Sequence, residues 1–132
     1  MGHPFGTLVL AGALLFCLAT SWSSGTAPGR FAERLGLVLA NPGGVNEIRA
    51  QYAGFFLAVA AVCAAALAGA LPRPTAFVLL AVVFGGLIAG RLVSLALDRG
   101  VAGYGPAIRA LYAIDAIGFA LALAAIAAER SG

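Results

Sequence analysis

The sequence contains no lysine, a single histidine and two cysteines, and only 10% of its 132 residues are charged. Soluble domains carry about 25% charged and about 45–50% apolar residues, whereas 62% of this chain is hydrophobic. A chain of this length exposes most of its residues when folded in water and would need a more polar surface. The composition therefore excludes an ordinary soluble domain and predicts an all-α integral membrane protein.

The same absences exclude several kinds of chemistry. His3 is the only histidine, so one chain can supply neither a Ser–His–Asp set nor two histidine ligands for haem. Cys17 and Cys63 lie in separate apolar runs, which favours buried thiols over a metal or redox site. The arginines form no basic run, and no phosphate-binding loop or zinc spacing is present. We predict no metal, no cofactor and no nucleic-acid partner, and we find no catalytic set.

Four apolar segments are long enough to cross about 30 Å of hydrocarbon, which takes about 20 helical residues. They lack the two-residue alternation of barrel strands. The sequence predicts a four-helix bundle in one transmembrane domain, residues 1–132, with helices over about 5–22, 46–71, 75–97 and 107–128. Between the first two, residues 28–39 predict a short amphipathic helix in the membrane interface, with an ordered loop as the alternative.

Four spans place both termini on the same side of the membrane. The opposite side carries more arginines, and this excess favours that side as the cytoplasmic one. The arginines compared are Arg30, Arg34, Arg49, Arg99 and Arg109 against Arg73 and Arg130 on the terminal side.

Two ionisable residues lie well inside the predicted helices. Arg91 precedes Asp98 by seven residues and Asp115 follows Pro106 by nine, which puts them about 10 and 13 Å from the helix ends. An ionisable group in the bilayer costs at least ~2.5–3.5 kcal/mol, so each needs a partner or a function. Both belong to the membrane half opposite the termini, and an arginine fork matches a carboxylate. We predict that Arg91 pairs with Asp115.

A larger polar cluster is predicted around this pair. Glu47 and Arg49 begin the second helix in the same membrane half, and helical spacing adds further polar side chains on the same faces. The predicted set is Asn46, Glu47, Arg49, Gln51, Tyr52, Arg91, Ser94, Tyr112 and Asp115. Polar contacts between membrane helices can also serve only to hold them together. A binding site and a purely structural cluster are both open.

Small residues recur at every fourth position of the third helix. Gly86 and Gly90 form a G-x-x-x-G pattern, which lets helix backbones approach closely. We predict a helix contact through these glycines, either within one chain or in a homodimer.

Two segments carry a family resemblance: GGVNEIRAQYAG, from Gly43 to Gly54, and GRLVSL, from Gly90 to Leu95. They resemble the uncharacterised family DUF4345 of small bacterial four-span membrane proteins, in which an N-E-[IVL]-R-A-x-Y-G-G motif and a G-R motif are expected. Ala53 stands where that family commonly has glycine. The layout is also similar to the DoxX-like four-helix membrane proteins. The resemblance implies a multi-pass protein of the bacterial inner membrane and no known activity. Its signature positions would be Asn46, Glu47, Arg49, Tyr52, Gly90 and Arg91.

Three functions are compatible with these features. The first is binding of a lipid or another small amphipathic or anionic ligand, held by Arg49 and Arg91 and oriented through Glu47 and Asp115. The second is an accessory or assembly subunit, in which the charges only fix the fold and a membrane-protein partner is bound. The third, a membrane enzyme or proton-coupled carrier, is disfavoured because four spans are few and the terminal-side halves are apolar.

Overall fold

The computed structural model describes residues 4–100 and 102–131, and over these it contains helices and connecting turns but no strand. His3 lies outside the described residues. The helices are α1 (Pro4–Thr26), α2 (Pro28–Arg34), α3 (Pro42–Leu67), α4 (Arg73–Leu97) and α5 (Pro106–Ser131). All except α2 are long and apolar enough to cross a membrane. The predicted all-α class with four apolar helices of spanning length is therefore confirmed.

Helices α1 and α3 extend beyond their predicted boundaries. At the end of α1, the Ser24 hydroxyl donates to the Thr20 carbonyl (2.6 Å) and Thr26 to Trp22 (2.7 Å), so these polar residues stay helical. Helix α3 begins four residues before the predicted start, because Asn41 caps it by accepting a hydrogen bond from the Gly44 amide. Pro42 then occupies the first helical turn, where proline is favoured.

Two glycines end helices earlier than the apolar pattern predicts. Gly36 and Gly69 have φ angles of +77° and +76°, a conformation that closes helices and that side chains disfavour. After them, the Leu37 amide donates to Ala32 and the Ala70 amide to Ala65, both at 2.9 Å. The predicted interfacial helix is therefore only the seven residues of α2, and α3 ends before residue 71.

The long helices form two closely packed pairs, α1 with α3 and α4 with α5. Leu10 and Cys17 of α1 and Cys63 of α3 lie in the shared buried core with Phe77 and Phe84 of α4. Both cysteines are free thiols. Helix α1 touches α5 less extensively than its own partner, so the two pairs meet along a looser seam.

Within the described chain, Gly86 and Gly90 lie at no helix contact. A Cβ atom built on either glycine meets nothing within 4 Å. The close approach within the chain uses the neighbouring face: a Cβ on Gly85 would lie 3.0 Å from Phe119, and one on Gly118 would lie 2.8 Å from Phe84. A contact of Gly86 and Gly90 in a homodimer stays a prediction.

Candidate ligand-binding site

Arg91 and Asp115 are joined between α4 and α5. The Arg91 Nε donates to Asp115 Oδ2 at 2.5 Å, and the Asp115 side chain is 2% exposed while that of Arg91 is 20% exposed. This is the pairing that helix depth predicted. The bond uses Nε, and within residues 4–100 and 102–131 no hydrogen bond from the Nη nitrogens is found. Asp115 thus fixes a guanidinium group whose outer donors are available.

Two tyrosines extend this pair towards the end of α4. The Tyr112 hydroxyl donates to the Arg91 carbonyl at 2.8 Å, and the Arg91 guanidinium lies 5.7 Å from the Tyr112 ring centroid. Tyr104 stacks on Tyr112 with centroids 6.0 Å apart and donates its hydroxyl to Asp98. That hydrogen bond raises the pKa of Tyr104, because deprotonation would put two negative charges together. The rim therefore carries a neutral phenol beside the Asp98 carboxylate.

Two cavities meet at Arg91. The outer cavity, of about 910 Å³, is bounded by α2, α4 and the start of α5 and includes Glu33, Ser94 and Tyr104. The inner cavity, of about 320 Å³, lies between the helix pairs and includes Phe16, Tyr52 and Asp115. Arg34 and Arg91 line both cavities. These volumes match those of small-molecule sites, about 300–1,000 Å³.

Four members of the predicted cluster line neither cavity. Asn46, Glu47 and Gln51 are exposed on α3, and no ion pair of Glu47 is found in the described part of the chain. The Arg49 Nε donates to the Gly25 carbonyl at 3.2 Å, so it stabilises the last carbonyls of α1. Within residues 4–100 and 102–131, neither Glu47 nor Arg49 is hydrogen-bonded or ion-paired to Arg91.

The reason is a change of helical geometry inside α3. Residues Arg49–Gly54 form a π-helical turn, and the Ala53 carbonyl in it accepts a hydrogen bond from the Ser21 hydroxyl at 2.8 Å. A π turn holds an additional residue, so spacing rules for an α-helix do not carry through it. Tyr52 still reaches the site, because its ring packs edge-on against Phe31 of α2, 4.9 Å between centroids.

A family model described as a domain of unknown function, DUF4345, matches residues 6–106. The chain belongs to the DUF4345 family. The matched DUF4345 region contains Arg34, Arg49 and Arg91 but stops where α5 begins, so Tyr112 and Asp115 lie beyond it. No curated protein and no solved structure matches the chain.

Two arginines of this DUF4345 protein have roles that the sequence did not reveal. Arg34 was placed on the polar face of an interfacial helix, yet it lines both cavities. At the opposite end of the fold, Arg73 donates to the Thr7 hydroxyl at 3.1 Å and lies 3.5 Å from Glu129. Arg73 thereby connects α1, α4 and α5. One sequence signal could have suggested this contact: Arg73 and Glu129 both belong to the side of the predicted bundle that carries the termini.

Two arginines and one carboxylate line the inner cavity of the DUF4345 chain. The carboxylate, Asp115, accepts a hydrogen bond from Arg91, and Arg34 also lines the cavity. Among residues 4–100 and 102–131, no group of three His, Cys, Asp or Glu is placed to hold a metal ion. Guanidinium groups in such positions can donate hydrogen bonds to anionic groups.

Proposed function

We propose that this DUF4345 protein is a multi-pass membrane protein of the bacterial inner membrane that binds an anionic amphipathic molecule at Arg91. The four long helices form a membrane-spanning bundle with both termini on one side. Their outward faces support this arrangement: at most 28% of the residues in each apolar stretch are buried within the chain. Large apolar side chains such as Leu15, Val82 and Leu97 are exposed, as expected for surfaces that contact lipid.

The observation that carries the proposed ligand is the position of Arg34 and Arg91 at the junction of the two cavities. On one side of this junction the wide outer cavity has the more polar walls of the two, and on the other side the inner cavity has mainly apolar walls, which include Phe16 and Phe56. A molecule with a charged head and an apolar body matches that change of polarity. Asp115 orients Arg91 for the head group, as second-layer partners commonly do in binding sites.

The test is native mass spectrometry of the detergent-purified full chain, which reports co-purified molecules directly. We expect a reproducible bound mass in the wild type that is lost in Arg91→Ala. Since this variant leaves Asp115 buried and unpaired, Arg34→Gln provides a second measurement without disturbing the pair. Arg34 is exposed, and loss of one charge-assisted hydrogen bond, about 1.5–3 kcal/mol, should lower occupancy about tenfold or more.

Arg30→Gln is the matched control, because Arg30 lies on the same short helix, is exposed and lines neither cavity. It should keep the bound mass. A bound mass that persists in folded Arg34→Gln and Arg91→Ala would contradict the proposed site. No bound mass in the wild type, with a protein partner that co-purifies instead, would favour an accessory subunit whose charges are structural.

A further inference from the structure

A third cavity continues the inner cavity towards the terminal side. This α1/α5 groove, of about 240 Å³, follows the looser seam between the helix pairs and includes Leu8, Gly12 and Phe16 of α1 with Ile114, Gly118 and Leu121 of α5. Its walls are almost wholly apolar. Phe16 and Ile114 line both the groove and the inner cavity. The outer cavity, inner cavity and groove therefore adjoin one another through shared wall residues, and we call this series of three the path.

The path changes from polar to apolar along the helix axis. Its polar part ends at Asp115, and from Ile114 to Leu121 the groove follows α5 for seven residues, about 10 Å of helix. Gly12 leaves space in the groove, since a Cβ built on it meets nothing within 4 Å. Leu80 and Phe84 of α4 complete the lining of the groove. A single groove of this volume along one helix seam matches one alkyl chain.

The charges at the polar end limit the head group. Arg34 and Arg91 face the inner cavity with Asp115 as the only carboxylate there, which leaves one net positive charge. The same two arginines line the outer cavity together with Glu33 and Asp98, so the outer cavity has no net charge to attract a second negative group. A head with a single negative charge is therefore favoured over a polyanionic one.

We propose that the ligand is a single-chain amphiphile with one negative charge, whose alkyl chain lies in the α1/α5 groove while its head contacts Arg34 and Arg91. This inference rests on the proposed function and specifies its ligand class. A two-chain phospholipid would place only one of its chains in the α1/α5 groove, so the groove matches a single-chain amphiphile better.

The experiment compares octanoate and hexadecanoate, added to the detergent-purified full chain and measured by native mass spectrometry. Gly12→Leu fills the groove, and leucine is a better helix former than glycine, so the variant should fold. We expect hexadecanoate to bind Gly12→Leu about tenfold or more weakly than the wild type, because added methylene volume is rejected by a filled apolar pocket. Octanoate, held near Arg91, should bind both alike.

Ala19→Leu is the control, because Ala19 lies on the same helix, is exposed and lines none of the three cavities. It should bind both acids as the wild type does. Equal hexadecanoate binding by Gly12→Leu and the wild type would overturn the groove assignment while leaving the Arg91 site intact. If neither acid binds the wild type, the single-chain ligand class is wrong; a co-purified mass that depends on Arg91 would then still support the proposed function.

A photoreactive diazirine in the middle of the hexadecanoate chain provides an independent readout. Crosslinks should fall on half-buried groove residues such as Val9, Ala13 and Phe16. Crosslinks confined to outward residues such as Leu15 and Leu18, which are exposed and line none of these cavities, would contradict the proposal and indicate ordinary annular lipid.

Discussion

Replacing Asp115 by asparagine should lower the free energy of unfolding in detergent by about 3 kcal/mol, the low end for breaking a buried ion pair. The Asp115 side chain is 2% exposed and accepts from Arg91, so the variant leaves a guanidinium group without its counter-charge inside the helix packing. We expect the low end of this range of destabilisation, because the Arg91 side chain is 20% exposed and lines a cavity. Circular dichroism during titration with a denaturing detergent measures the change.

The control for this prediction is Glu47→Gln. Glu47 is exposed, and exposed substitutions of this kind usually change stability by less than about 0.5 kcal/mol. The double variant Arg91→Leu/Asp115→Leu should recover most of the lost stability, since replacing both partners of a buried pair by apolar residues is often neutral. Equal destabilisation by Asp115→Asn and Glu47→Gln would show that the pair contributes nothing to the fold.

Gly118→Ala should destabilise the protein by about 2 kcal/mol through overpacking. The added Cβ would lie 2.8 Å from ring atoms of Phe84. Phe84 is 4% exposed and packs against Phe16, 6.1 Å between ring centroids, so the ring can relieve the overlap only by leaving this packing for the groove that it lines. The same detergent titration measures the effect.

Gly86→Ala is the matched control, because Gly86 lies on α4, the helix that carries Phe84. The added Cβ meets nothing within 4 Å, so only helix propensity acts, and alanine should gain about 0.8–1 kcal/mol over glycine. In the double variant Phe84→Leu/Gly118→Ala a smaller side chain replaces the ring. This variant should therefore recover part of the stability that Gly118→Ala loses. If Gly86→Ala destabilised the protein as much as Gly118→Ala does, that result would support the predicted G-x-x-x-G contact.

The fold was predictable where long apolar runs decide it. The four helices follow from the length of the apolar runs alone. A helix makes its backbone hydrogen bonds within one segment, so a long apolar run in lipid is expected to be helical. The boundaries were less accurate, since they depend on single residues that hydropathy ignores. Asn41, Gly36 and Gly69 set three of these ends, and each is a recognised capping signal that was present in the sequence.

The candidate site was predictable only in its central pair. Depth and topology were enough to bring Arg91 to Asp115, because both are unusual charges in apolar helices. Glu47 and Arg49 line neither cavity, because the π turn of α3 changes the direction of its first residues. Arg34 was missed because the position of α2 depends on a tertiary contact, Phe31 on Tyr52, that no periodicity encodes.

The pairing of α4 with α5 has a consequence for biosynthesis under the proposed membrane topology. Arg91 leaves the ribosome 24 residues before Asp115, the separation of the two bonded residues in the chain. Until α5 follows, α4 would enter the membrane with an uncompensated arginine, at a cost of about 2.5–3.5 kcal/mol. Chain synthesis runs from the N-terminus, so α4 and α5 should pass from the translocon into lipid together, as a helical hairpin already joined by its salt bridge.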